Sequence, residues 1–157
     1  MADAGSNRPP GAVLFACNHN RVRSPMAEGL LRRIAGDRIF VDSCGLRHPR
    51  DEVVAFGAAN EADPLAAAVM AEVGCDLSGF RVKTFDELQD DSFDVVISLT
   101  PEAQHRAVEM ARGRAAEIEY WPTADPTLAE GSREARLSAY RLVRDVLAQR
   151  IRRRFQP

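Results

Sequence analysis

The stretch Ala12-Val13-Leu14-Phe15-Ala16-Cys17-Asn18-His19-Asn20-Arg21-Val22-Arg23-Ser24-Pro25-Met26-Ala27-Glu28 decides how the chain reads. Its first five residues, Ala12 to Ala16, are a continuous apolar run, the pattern of a strand covered on both faces. Cys17 to Arg23 then turn polar. Ser24-Pro25 predicts a helix start, with Ser24 as N-cap and Pro25 in the first turn. Ala27, Leu30, Leu31 and Ile34 follow at helical spacing, and Gly36 closes the run. A buried strand, a polar loop and an amphipathic helix, in that order, put the loop at the carboxyl end of a strand. In parallel α/β proteins that is where chemistry collects.

The alternation continues outward. Ile39 to Ser43 reads as a second strand, ended by Cys44-Gly45. Arg47 to Ala62 shows no clear period and is expected to be loop with a short helix. Pro64 to Val73 reads as a helix closed by Gly74, and Phe93 to Leu99 as a third buried strand. Thr100-Pro101-Glu102 opens another helix, which ends near Gly113. Ile118 to Trp121 is a short fourth strand, followed by the loop Pro122 to Thr127. The last helix begins near Ser132, with Leu137, Tyr140, Val143, Leu147, Ile151 and Phe155 in one apolar stripe and Arg152 to Arg154 at its end. The expectation is an α/β fold: one domain, a four-stranded parallel sheet, helices on both faces. Residues 1–11 are polar and patternless and read as a flexible tail, leaving 12–157 as the domain.

Composition excludes several classes. The 157 residues suit a single domain. Such a domain can bury about two-thirds of its unfolded surface without metal or disulfide. A 45% hydrophobic and 28% charged chain is neither disordered, collagenous nor coiled coil. A net charge of −2 supplies no global field for nucleic acid. No apolar run reaches the roughly 18 residues of a membrane span, and the polar start lacks a signal-peptide core. Three cysteines are too few for a secreted disulfide scaffold, so a reducing, cytoplasmic setting is expected. Twenty of the 21 basic residues are Arg, with Lys83 the exception, which reads as genomic bias.

A cysteine, five residues and an arginine form the frame of cysteine-dependent phosphatases. The pattern occurs at Cys17–Arg23, Cys44–Arg50 and Cys75–Arg81, so the bare spacing says little in so Arg-rich a chain. The chemistry is more demanding. Backbone N–H groups and a helix N-terminus must hold an oxyanion, the arginine must fork onto two of its oxygens, and positive potential must favour the thiolate. Only Cys17 follows a buried strand, precedes an amphipathic helix, has no acid or Pro in its loop, and has a hydroxyl, Ser24, after the arginine. The Cys44 loop contains Pro49 and is followed by Asp51. The Cys75 loop contains Asp76, with Val82 after its arginine. Cys44 and Cys75 read as small half-buried hydrophobes.

Cys17 to Glu28 resembles the signature loop of the low-molecular-weight protein tyrosine phosphatase family, whose fold is shared with thioredoxin-coupled arsenate reductases. Ser43-Cys44-Gly45 resembles its Ser-Ala-Gly, Gly74 to Ser78 its Gly-Ile-Asp-Leu-Ser, and Asp125-Pro126 its general-acid loop. The resemblance covers about Ala12 to Phe155. It implies a phosphate-binding loop between the first strand and first helix, and a hydrolase of protein phosphotyrosine or small aryl phosphates. Cys17 would be the nucleophile, Arg23 the transition-state clamp and Asp125 the acid, then base. Asn18, His19, Asn20, Arg21 and Val22 would surround the phosphate, with Ser24 supporting the thiolate. No cofactor or metal is implied, and no nucleic-acid or membrane partner. His19 stands where the family has Gly, Val22 replaces a second loop Cys, and Thr127-Leu128 replaces a Tyr pair. Arsenate reduction, or phosphoprotein binding without turnover, are the alternatives. Between Gly79 and Pro101 the chain lacks the cysteine pair that the thioredoxin-coupled reductases use. His48 and His105 read as surface residues, with no partner at metal spacing. Trp121 and Tyr120 read equally as site wall or core.

Overall fold

A computed structural model describes residues 10–49, 60–90 and 92–156. Four parallel strands, β1 (Ala12–Cys17), β2 (Phe40–Gly45), β3 (Val95–Ser98) and β4 (Glu117–Tyr120), form one sheet in the order β2-β1-β3-β4. The helices are α1 (Arg23–Ala35), α2 (Pro64–Ala71), α3 (Pro101–Ala111) and α4 (Arg133–Phe155). The predicted α/β architecture is therefore the observed one, with strand and helix ends displaced by one or two residues.

Alternation along β1 builds both cores. Val13, Phe15 and Cys17 point into a layer with Met26, Leu31, Val69, Met70, Tyr140 and Leu147, from α1, α2 and α4. Leu14 and Ala16 point into a second layer with Cys44, Phe85, Val96, Ala103 and Ala107, chiefly against α3. A strand covered on both faces has no solvent side, hence its uninterrupted apolar run. The α4 stripe behaves as read: Tyr140, Val143, Leu147 and Ile151 are buried, and Leu137 and Phe155 pack beside them.

The order β2-β1-β3-β4 makes the chain leave β1 toward one edge and later enter β3 on its other side. The crevice at such a reversal lies beyond the carboxyl ends of the two strands. Cys17 is the last residue of β1, and its loop runs over this crevice.

Three expectations change. Ser24 is not the N-cap of α1. The helix starts at Arg23, Val22 is the cap residue, and no side chain caps it. The Ser24 hydroxyl has been recruited elsewhere. His48 is not a surface residue; it is only 4% exposed. Cys44 is fully buried and Cys75 nearly so, rather than half-buried. Most of the short helix expected in Arg47–Ala62, and residues 1–9 of the tail, lie outside the described residues. Gly11 belongs to the sheet edge, donating to Asp94 Oδ2 (2.7 Å) and accepting from Phe40 N–H (2.8 Å).

Gly45 at the end of β2 is fixed by close approach. A Cβ there would stand 2.8 Å from both Asn20 N and His19 C and 3.0 Å from Asn18 O. All three are backbone of the Cys17 loop, so the loop can lie where it does only over a glycine. Gly45→Ala should cost about 1–3 kcal/mol by overpacking. It should also weaken orthovanadate binding more than an equally destabilising substitution in α4. Urea unfolding and vanadate titration of the two variants provide the comparison.

Candidate active site

The loop after β1 is held by Asn20. Its backbone is left-handed (φ 58), a conformation that Asn accepts more readily than most residues. Its side chain is fully buried. Nδ2 donates to Ser24 Oγ (2.8 Å) and to Ser43 Oγ (3.0 Å), and Oδ1 accepts from Lys83 N–H (3.0 Å). The first half of the loop is tied elsewhere. Asn18 O accepts from Leu46 and Arg47 N–H (2.9 and 3.0 Å), and Asn18 Oδ1 from Thr100 Oγ1 (2.7 Å). The second half is tied through Arg21 O, which accepts from Asp63 N–H at 2.9 Å. Asp63 also caps α2 and accepts from Tyr140 Oη at 3.1 Å. Burial, then the adjacent Asp63 carboxylate, raises the Tyr140 pKa, so the phenol stays a donor.

These bonds orient the Ser24 hydroxyl. Its oxygen already accepts from Asn20, and Cys17 Sγ lies 2.9 Å away, against 3.4 Å for Cys44 O. The hydroxyl is thus within hydrogen-bond reach of both the sulfur and the Cys44 carbonyl, and is placed to donate to Cys17 when that sulfur is a thiolate. A parallel chain runs from Asn20 through Ser43, which donates to Glu28 Oε1 at 2.6 Å. Both chains of donors end on a group that is, or can be, an anion. Burial pushes the Glu28 carboxyl above its ordinary value, partly offset by the Ser43 hydrogen bond and by Arg32 at 2.9 Å.

Arg23 sits at the first turn of α1 with its guanidinium 13% exposed. It donates to Thr123 O at 3.0 Å, and its Nη2 is 4.0 Å from Asp125 Oδ2. The loop that follows β4 is thereby brought beside the loop that follows β1, 102 residues earlier. Asp125 is one-third exposed, and its Oδ1 is the acceptor for Thr127 N–H (3.0 Å) and Thr127 Oγ1 (2.6 Å). Pro126 is buried and anchors this turn. The structure therefore gathers Cys17, Arg23, Ser24, Asn20 and Asp125, the residues singled out in the sequence. Asn18, His19, Arg21 and Val22 form the loop between them. Chemically the assembly offers a thiol at an uncapped helix N-terminus, a fork of donors and a nearby carboxyl. That combination suits an oxyanion.

Sequence reading gave Ser43, Glu28, Lys83 and Thr123 no part in the site, Thr100 only a helix start and Thr127 only the place of a missing Tyr. Ser43 stood in a recognised triplet, but nothing local shows that its hydroxyl meets Asn20 across 23 positions. Trp121 is partly buried and packs edge-on against Phe15, whereas Tyr120 is 39% exposed. His105 is exposed, as expected. Among the described residues no group of three His, Cys, Asp or Glu could hold a metal ion. No helix among them is long and apolar enough to cross a membrane.

A four-stranded parallel sheet with a Cys-x5-Arg loop capping its first strand defines a class of small α/β enzymes that handle oxyanions. This chain belongs to the low molecular weight phosphotyrosine protein phosphatase family, whose model matches residues 12–156. Its relatives divide between two activities. An arsenate reductase of Halalkalibacterium halodurans is 31% identical over 140 residues, covering 89% of this chain and 91% of the relative. A glutaredoxin arsenate reductase of Synechocystis is 39% identical over 87 residues, and the match spans only 55% of this chain and 58% of that protein. A solved arsenate reductase in its phosphate-binding state is 30% identical, with a TM-score of 0.70 over 92% of this chain and 95% of that one. A tyrosine phosphatase of Erwinia amylovora shares the fold at a TM-score of 0.70 and 20% identity, over 96% and 97% of the two chains.

The burial of Glu28 gives a pH signature. Its pKa is raised above the ordinary 4.5, so the folded chain holds this proton more tightly than the unfolded one. Its contribution to stability is complete below the unfolded value and declines as pH rises through the folded one. Gln keeps a neutral acceptor at every pH. The stability of Glu28→Gln relative to the parent should therefore improve from pH 4.5 to pH 7, measured by urea unfolding at both ends.

Proposed function

We propose that this chain is a cysteine-dependent phosphomonoester hydrolase that acts through a phosphocysteine, with protein phosphotyrosine or small aryl phosphates as its substrate class. The observation that carries the reading is the approach of Asp125 Oδ2 to Arg23 Nη2 (4.0 Å), which puts a carboxyl beside the anion clamp. A site that only bound phosphate would gain nothing from a carboxylate there, since like charges repel.

In the first step Cys17 Sγ attacks phosphorus as the ester P–O bond breaks, and protonated Asp125 gives its proton to the departing oxygen. Arg23 and the loop N–H groups between Asn18 and Arg23 hold the three equatorial oxygens. In the second step a water oxygen attacks phosphorus, Asp125 takes a proton from that water, and the S–P bond breaks. Inorganic phosphate leaves and the thiolate is restored, accepting from Ser24. The balance requires no metal or organic cofactor.

Arsenate reduction is the second reading, favoured by the names of the curated relatives. The same cradle would take arsenate, and Cys17 would displace one of its oxygens, which leaves as water, to form an S–As bond. A second thiol, intramolecular or external, must then attack Cys17 Sγ, so that an S–S bond forms, the S–As bond breaks and its electron pair leaves on arsenic as arsenite. Cys44 pairs with Ala16 in the sheet and so faces the α3 layer, opposite to Cys17. Burial, then the neighbouring Cys17, keeps the Cys44 thiol neutral and unreactive. Cys75 lies behind α1, its Sγ near Gly29 O at 3.8 Å. Reduction would therefore require a thiol from outside the described residues, such as glutathione or a small dithiol protein.

Two assays separate the readings. Purified protein should hydrolyse para-nitrophenyl phosphate, and Cys17→Ser should abolish the activity. Asp125→Asn should slow phenyl phosphate about 10²-fold or more while sparing activated esters, as expected for loss of a general acid. Loss of arsenate that requires added glutathione, without phosphatase turnover, would transfer the proposal to the second reading. Peroxide should convert Cys17 to sulfenic and higher acids with no Cys17–Cys44 or Cys17–Cys75 bridge, and dithiothreitol should recover only part of the activity. Peptide mapping after peroxide checks this.

A further inference from the structure

Asp125 Oδ1 receives two hydrogen bonds from one residue, Thr127, through its N–H at 3.0 Å and its hydroxyl at 2.6 Å. These two donors occupy both lone-pair directions of Oδ1. The other oxygen, Oδ2, is the one directed toward Arg23. The two oxygens of this carboxyl are therefore not equivalent. One is committed to its own turn, and the other faces the anion loop. Thr127 is exposed and has no place in the core, so packing does not account for its identity.

We infer that Thr127 is a positioning residue for Asp125, selecting Oδ2 as the oxygen that carries and returns the proton. The inference rests on the general-acid reading of Asp125. Its physical basis is the geometry of proton transfer: a general acid must bring its proton within hydrogen-bond reach of the leaving oxygen, and a freely rotating carboxyl spends part of its time with the wrong oxygen forward. A β-branched side chain is suited to the task because its χ1 is restricted. The N–H alone leaves the carboxyl plane free to swing, and the second donor stops it. A tyrosine at this position would carry its hydroxyl a ring's length from Oδ1. This chain thus holds its acid with a short local donor where an aromatic wall could have stood. Donation to the carboxylate also suits the second step, in which Asp125 begins ionised and collects a proton from water.

The test compares Thr127→Val, which keeps shape and loses the hydroxyl, with Thr127→Ser, which keeps the hydroxyl. Single-turnover release of phenol from phenyl phosphate should fall about tenfold in Thr127→Val, the scale of one hydrogen bond to a charged group. Substrate affinity should stay within about twofold, because the hydroxyl is not a phosphate ligand in this reading. Thr127→Ser should recover most of the rate. In an Asp125→Asn background, Thr127→Val should have no further effect. An equal loss in both backgrounds would make Thr127 merely structural and overturn the inference. If Asp125→Asn shows no dependence on the leaving group, the acid reading fails, and that result is separate from any result at position 127. A readout independent of turnover completes the test: crystals of each variant with orthovanadate in the loop. The Asp125 carboxyl should rotate in Thr127→Val and stay in place in Thr127→Ser. An unmoved carboxyl in Thr127→Val would also overturn the inference.

Discussion

The amide of Asn20 is the point on which the anion loop depends. A left-handed residue inside a protein is costly for any side chain but glycine, by about 1–2 kcal/mol. Here three hydrogen bonds, to Ser24, to Ser43 and from Lys83 N–H, hold the residue in that conformation. Removing the amide would take the acceptor from Lys83 N–H, at about 1–3 kcal/mol for an unsatisfied buried group, and would leave Ser24 and Ser43 each one hydrogen bond short. The same amide group reaches two serine hydroxyls beside the loop. Asn20 donates to Ser24, whose oxygen lies 2.9 Å from Cys17 Sγ. It donates to Ser43, which leaves the Ser43 proton for Glu28. One buried amide thus fixes both the shape of the loop and the polarity of its surroundings.

The sheet separates Cys17 from Cys44. Successive side chains of a strand point to opposite faces, so the position of a cysteine along its strand settles its neighbours. Cys17 falls on the layer of α1 and α4, where the helix N-terminus and Arg23 lie. Cys44, opposite Ala16, falls on the layer of α3. Their sulfurs are on different sides of the sheet although the residues are close in space. The strand order adds the second condition. Because the chain leaves β1 toward one edge and reaches β3 on the other, the end of β1 opens on a crevice, and the loop after β4 can come down beside it.

How much of this was legible can be judged from individual residues. The four strands and the helix starts at Thr100 and Ser132 follow from local patterns. Ser24 shows the limit. A serine before a proline and an apolar stripe is a good N-cap signal, yet the helix starts one residue earlier and the hydroxyl lies between Asn20 Nδ2 and Cys17 Sγ, 2.9 Å from the sulfur. His48 was read as exposed and is buried, since no periodic pattern covers the segment after β2.

The alternation of elements and the Cys-x5-Arg spacing at Cys17–Arg23 are legible in the chain alone. Those features are local, set by hydrophobic period, turn residues and the spacing of a few side chains. The approach of Asp125 to within 4.0 Å of Arg23, the bracing of Asn20 by Ser43 and Lys83, and the exclusion of a side chain at Gly45 arise in the packed fold. Each of these joins residues at least 23 positions apart. Such contacts depend on strand order and register, which arise when the whole sheet packs and which no short window of sequence contains.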